Sequence, residues 1–236
     1  MYSYLIIKRL AYKKLELISE DLENLFVGLV RDKAATEKKV SVELVDGSNV
    51  HILHADLTNY ASLKQAAADT AEIVGDHGVD YLVANGTFVP TFDAYAPIGA
   101  LGEKVEELEA CASQAFNTNV VSNIHFFNLF LPLVLKGNVK KVITIATGVA
   151  DLDFTNKCEV DVGALYPVSK AAMNIILAKF SAQYKKDGVL FLGISPGLVE
   201  VGRYDNTTPE EMQGLMGFMG KVAQHASYLK GPITPE

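Results

Sequence analysis

Val142-Ile143-Thr144-Ile145-Ala146-Thr147-Gly148 is a β-branched run that closes on small and hydroxyl-bearing residues. All of it but Gly148 lies within a strand expected over Val139–Thr147. A longer helix-period segment, Ala164–Lys186, follows, and then a second β-type run, Val189–Ser195. Strand, helix, strand in that order reads as two parallel strands joined by a crossover helix. The same alternation extends upstream, with strands expected at Tyr2–Lys8, Leu25–Val30, Val50–His54 and Val79–Ala84. Helices are expected at Leu10–Leu22, Tyr60–Asp76 and Val105–Leu135, and a last one within Pro209–Leu229. The fold class is therefore α/β, a doubly wound parallel sheet flanked by helices on both faces. A chain of 236 residues with 49% hydrophobic content can bury one good core, so a single domain over residues 1–236 is expected.

Composition narrows the function classes. The net charge of -7 mixes both signs without a basic stripe, which argues against nucleic acid as a partner. Cys111 and Cys158 form no CxxC pair and no set of metal ligands, so a disulfide scaffold and a metal centre are both unsupported and a reducing, cytoplasmic setting is expected. The run Tyr4-Leu5-Ile6-Ile7 is too short for a signal-peptide core. The longest apolar run, Ile124 to Leu135, is broken by Asn128 and Pro132 and is shorter than the ~20 residues that span a bilayer. A soluble protein without a membrane partner is expected. The five histidines are scattered, with no HExxH spacing and no GxSxG elbow, and Glu106, Glu107 and Glu109 read as a solvated helix face.

Tyr166-Pro167-Val168-Ser169-Lys170 opens the Ala164–Lys186 segment and places a phenol and an ammonium four residues apart, on one face of a helix. A free tyrosine has a pKa near ~10 and exchanges protons poorly at neutral pH unless a cation favours the phenolate. The spacing also suits an ordinary surface pair. Four other segments stand in a fixed order around it: Leu82-Val83-Ala84-Asn85-Gly86, Asn119-Val120-Val121-Ser122, the run ending at Thr147, and Pro196-Gly197-Leu198-Val199. Together these resemble the short-chain dehydrogenases/reductases over roughly residues 25–200.

The resemblance implies a Rossmann-like dinucleotide-binding domain and a mechanism. Tyr166 would exchange the proton on the substrate oxygen, Lys170 would lower its pKa and bind the nicotinamide ribose, and Thr147 would hold that oxygen in place of the family serine. Asn119 would anchor a water that continues the proton relay, although a helix-interior Asn bonding its own backbone is the rival reading. Asn85, Gly86, Pro196, Gly197 and Val199 would border the cofactor. Arg31, after the second strand, argues for NADP(H) over NAD(H). Asp56-Leu57 would meet the adenine, or Asp56 would instead cap the next helix. The expected reaction is reduction of a ketone or aldehyde to an alcohol, or the reverse, on a small-molecule substrate, with secondary-metabolite biosynthesis as a family analogy.

Three departures qualify this. No glycine precedes Gly28, so the family's glycine-rich turn is replaced by Ile7-Lys8-Arg9-Leu10-Ala11-Tyr12. The chain stops at Glu236, without the family's seventh strand, so the sixth would be an uncovered edge; residues 202–230 would serve as lid and tail, with Gly202–Gly220 irregular. Val201 stands where many members carry a threonine. The alternative is thus a catalytically impaired or non-redox relative. A homodimer or homotetramer is expected, paired through Val105–Leu135 and Ala164–Lys186, whose Phe126, Phe127, Leu129, Phe130, Met173, Ile176 and Leu177 exceed what one sheet face needs.

Overall fold

A computed structural model describes residues 3–7, 21–43, 48–197 and 208–225. Six strands form one sheet: β1 (Ser3–Ile7), β2 (Leu25–Val30), β3 (Val50–His54), β4 (Tyr81–Ala84), β5 (Lys141–Ile145) and β6 (Leu190–Ile194). Their spatial order is β3-β2-β1-β4-β5-β6, and every pairing is parallel. The order reverses between β1 and β4. That switch point opens a crevice at the carboxyl ends of the strands, where open α/β sheets bind ligands.

The helices are α1 (Lys33–Glu43), α2 (Tyr60–Val74), α3 (Val105–Phe116), α4 (Ser122–Lys136), α5 (Leu152–Lys157), α6 (Leu165–Gln183) and α7 (Pro209–His225). A π-helical turn, Asn117–Val121, joins α3 to α4 into one continuous rod. The expected helix over Leu10–Leu22 falls outside the described residues except for Asp21 and Leu22, which lie in a turn. Helix α1 was not expected, because among its described side chains only Val40 is buried and its surface is charged. It starts where the Asp32 carboxylate accepts from the Ala35 N–H at 2.9 Å, an N-cap that could have announced it. The irregular stretch expected over Gly202–Gly220 is corrected in its second half, since Gly214, Gly217 and Gly220 lie inside α7.

The main core lies between the sheet and α2, α4 and α6. Phe126, Phe127, Phe130 and Leu131 from α4 meet Leu82 and Val142 from the sheet and Met173, Leu177 and Phe180 from α6. Phe127 meets the Phe180 ring edge-on at 5.3 Å, and Phe180 stacks on Phe191 at 5.9 Å. Burying a Phe or Leu side chain stabilises by about 1.5–3 kcal/mol, so this layer carries much of the fold. Phe26, Ile52 and Val83, pointing the other way, pack with Val40 of α1. Both faces are covered.

This packing corrects the reading of the apolar surplus on α4 and α6. Phe126, Phe127, Phe130, Met173 and Leu177 are spent inside the chain's own core, whereas the exposed apolar residues of these helices are Val168 and Ile175 of α6, with Phe116 at the end of α3. The rod Val105–Lys136 is long and apolar enough to cross a bilayer by length and composition, longer than its broken apolar run suggested. Its Phe-rich face is committed to the sheet instead. At the other end of the sheet, β6 pairs only with β5 among the described residues, leaving Leu190 and Ile194 47% and 43% exposed.

Candidate active site

Helix α6 delivers Tyr166 in its first turn and Lys170 one turn later. The Lys170 ammonium reaches across to the last residue of β5 and donates to the Ile145 carbonyl at 2.8 Å. Thr147 lies two residues beyond that carbonyl, in extended conformation, and its hydroxyl makes no capping bond to the short turn Gly148–Ala150 that follows. The sheet end and the helix start thus converge on one spot. Lys170 Nζ stands 5.7 Å from the centre of the Tyr166 ring, within cation–π range. Lys170 is only 5% exposed, and burial lowers its pKa from the ordinary 10.5 to about 8. It is still mainly charged at neutral pH and so favours the phenolate of Tyr166.

Asn119 sits in the π-helical turn, a geometry that often marks functional positions. Its Oδ1 accepts from the Phe88 N–H at 2.7 Å and the Thr87 hydroxyl at 2.9 Å. Its Nδ2 donates to the Phe88 carbonyl and to Ser169 Oγ, both at 2.8 Å. Ser169 Oγ in turn donates to the Tyr166 carbonyl at 2.7 Å. The rival reading of a side chain bonding its own helix is therefore corrected: Asn119 ties the loop after β4 to the helix that carries Tyr166. Its carbonyl accepts from Asn123 Nδ2 at 2.9 Å. Thr87, Phe88 and Ser169 were not foreseen as partners, because nothing in the spacing links positions 31 and 50 residues from Asn119.

The remaining cofactor-side residues lie along the same carboxyl edge. Asn85 and Gly86 follow β4 directly, Gly86 being buried. Pro196 and Gly197 follow β6, with Gly197 in a left-handed conformation (φ 78°) that favours glycine. Val199 and Val201 lie outside the described residues, as does all of the segment replacing the glycine-rich turn except Ile7, the last residue of β1. Arg31 is exposed just after β2, and Asp56 and Leu57 follow the neighbouring β3. The Asp56 carboxylate accepts from the Thr58 N–H at 2.9 Å and the Thr58 hydroxyl at 2.8 Å. These bonds, with lesser help from the nearby Arg31 charge, hold its pKa below the usual carboxylate value. Helix α2 is capped instead by Asn59, whose Oδ1 accepts from the Ser62 N–H at 3.0 Å, so the capping alternative for Asp56 is corrected.

The donor set suits a nicotinamide nucleotide. A buried ammonium with a single acceptor among the described residues retains two N–H donors, the complement of a ribose diol, at the carboxyl end of β5.

Comparison with known proteins agrees with this geometry. The sequence profile of the short chain dehydrogenases matches residues 14–212, beginning downstream of β1. The chain is 62% identical over 219 residues to the short-chain dehydrogenase/reductase iacC of Pestalotiopsis fici, covering 93% of this chain and 80% of that protein. It is 49% identical over 240 residues to the short chain dehydrogenase virK of Hypocrea virens, covering 100% and 88%. Among solved structures, an NADPH-bound short-chain oxidoreductase from Pseudomonas aeruginosa PAO1 with an atypical catalytic centre superposes with a TM-score of 0.72 at 17% identity, covering 99% of this chain and 85% of that one. The NADPH-bound carbonyl reductase from chicken fatty liver gives 0.70 at 20% identity, covering 89% and 85%. These two establish the fold, and the profile and the fungal relatives establish the rest: the chain belongs to the short-chain dehydrogenase/reductase family, as an NAD(P)-dependent oxidoreductase.

Proposed function

We propose that this chain is an NADPH-dependent carbonyl reductase that converts a ketone or aldehyde to an alcohol, or runs the reverse reaction, on a small molecule of fungal secondary metabolism. The observation that carries the reading is the buried Lys170 ammonium held between the Ile145 carbonyl and the Tyr166 ring. A desolvated lysine without chemistry to perform is a net cost, since burial disfavours its charge.

Each residue has a distinct part. Tyr166 gives its phenolic proton to the substrate oxygen in reduction and takes it back in oxidation. The Lys170 charge, 5.7 Å from the Tyr166 ring, favours the phenolate over the neutral phenol, and its spare N–H groups would hold the nicotinamide ribose. Thr147 donates a hydroxyl hydrogen bond to the same substrate oxygen and so orients the carbonyl toward Tyr166. Asn119, its side chain fully engaged, acts by position, fixing the loop after β4 against α6; a proton relay through it would leave from its backbone oxygen. When bound, NADPH supplies hydride to the carbonyl carbon. Asn85, Gly86, Pro196 and Gly197, which follow β4 and β6, would border it, with Asp56 and Leu57 at the adenine end; Val199 would join them only by the family resemblance, since it lies outside the described residues. Arg31 favours the 2′-phosphate over a plain ribose diol, and the NADPH bound by two structural neighbours is consistent with that preference. A cytoplasmic location and a homo-oligomeric state complete the reading, and Val168, Ile175 and Phe116 replace the core phenylalanines as the candidate apolar contact.

One observation favours a second reading. No glycine precedes Gly28, and the family profile begins only at residue 14. Side chains where backbone alone should meet the pyrophosphate would weaken cofactor binding and leave a catalytically impaired relative. Reduction of a panel of apolar ketones with NADPH, monitored by loss of nicotinamide absorbance, separates the two. Turnover supports the first, and a folded protein that turns over none supports the second.

A further inference from the structure

We infer that Asp93 is the positioning residue for Tyr166, an inference that rests on the carbonyl-reductase reading above. Helix α6 begins at Leu165, and the residue ahead of it, Ala164, has no side chain able to cap it. The first N–H groups of a helix need outside acceptors. Asp93, from the loop after β4, supplies one: its Oδ2 accepts from the Leu165 N–H at 2.7 Å, across 72 residues of sequence. The carboxylate is 1% exposed, so solvent neither screens the contact nor competes for it. Its negative charge also faces the positive end of the helix.

The backbone of Asp93 grips the same segment. Its carbonyl accepts from the Gly163 N–H at 3.0 Å, and Gly163 takes a left-handed conformation (φ 65°) that lets the chain turn into α6 there. Beside it, Pro97 bridges Val162, and the Ile98 N–H donates to the Asp161 carbonyl at 3.0 Å. Tyr166 follows Leu165 directly. Its backbone is therefore held from two sides, by Asp93 at the residue before it and by Ser169 Oγ at its own carbonyl. Movement of this first turn would shift the phenol relative to Lys170, whose ammonium is fixed separately on β5. Misplacing a reacting group by about 1 Å can cost up to ~100-fold in rate, and the groups that would bind the adenosine end lie elsewhere.

The test compares Asp93→Ala, which removes the acceptor, with Asp93→Asn, which keeps an acceptor oxygen without the charge. Steady-state kinetics are read together with hydrogen exchange of the amides at Leu165, Tyr166 and Val168. The expected result is that Asp93→Ala lowers kcat by about tenfold or more with the NADPH KM unchanged. Exchange should quicken only in the first turn of α6, and Asp93→Asn should restore both. If Asp93→Ala does not fold, Asp93→Glu, which displaces the acceptor by one methylene, is expected to show the same selective loss of kcat. Wild-type kcat in a folded Asp93→Ala protein overturns the inference, as does a loss that Asp93→Asn cannot restore, or faster exchange spread over the whole sheet. An inactive wild type refutes the carbonyl-reductase reading instead, and exchange alone then decides Asp93: local quickening supports the tether, and unchanged exchange overturns it.

Discussion

The two halves of the sheet are built to different standards. On the β4–β5–α6 side, three points near the proposed chemistry are fixed by a neighbour from another element: Lys170 by Ile145, Asn119 by Phe88 and Ser169, and the start of α6 by Asp93. On the β1–β2–β3 side, the charges that would meet the cofactor's adenosine end are Arg31, exposed, and Asp56, already engaged by Thr58. Rate depends on sub-ångström placement of reacting groups, whereas binding a long flexible cofactor tolerates looser contacts. Under the proposed function the reacting half is the more tightly tethered, and among the described residues the binding half offers mainly charge.

Replacing Tyr166 with Phe tests the first half most severely. Loss of the proton donor should lower kcat by about 10²- to 10⁴-fold with the melting temperature nearly unchanged. Turnover close to wild type would remove Tyr166 from the mechanism.

Lys170→Met should also abolish turnover, yet it should not destabilise the protein at pH 7. The folded pKa of Lys170 lies below its unfolded value, so between about 8 and 10.5 the unfolded chain binds more protons than the folded one. Wild-type stability therefore rises over that window by about 3 kcal/mol from this group, and the Met variant lacks the rise. Denaturant unfolding at pH 7 and pH 10.5 measures it. Parallel pH dependence in the two proteins would show that Lys170 is not buried as a charge.

Asn119→Ala leaves the Phe88 N–H and carbonyl and Ser169 Oγ without their partner. The expected cost is about 2–4 kcal/mol of stability, together with a lower kcat. Unaltered unfolding would mean that the loop after β4 is held by other contacts.

The smallest effect belongs to the looser half. Arg31→Asp should weaken NADPH by about tenfold and improve NADH, narrowing or inverting the preference. Equal affinities before and after would place the 2′-phosphate elsewhere.

Legibility in the sequence followed the same division. The strands from Leu25 to Ile194 stand within two residues of their expected ends, because parallel strands are short apolar runs bounded by breaks. Helix α1 was missed because among its described side chains only Val40 is buried, so periodicity had nothing to register. The surplus of phenylalanine on α4 was misread as an interface, since composition counts apolar residues without saying which layer absorbs them. Tyr166 and Lys170 stand out by their four-residue spacing, but their roles, and the choice of Thr147, come only from the family resemblance. Asp93, Thr87 and Ser169 do not stand out, because their partners lie 32 to 72 residues away and only the folded sheet brings them together.

Titration of the folded wild-type protein with NADPH and with NADH, followed by nicotinamide fluorescence and thermal shift, tests the central claim most directly, because a ligand that binds only the native state must raise its stability. Saturable binding, tighter for NADPH than for NADH, is the expected result. A folded protein that neither binds nor is stabilised by either nucleotide would contradict the assignment of this chain as a working NADPH-dependent reductase.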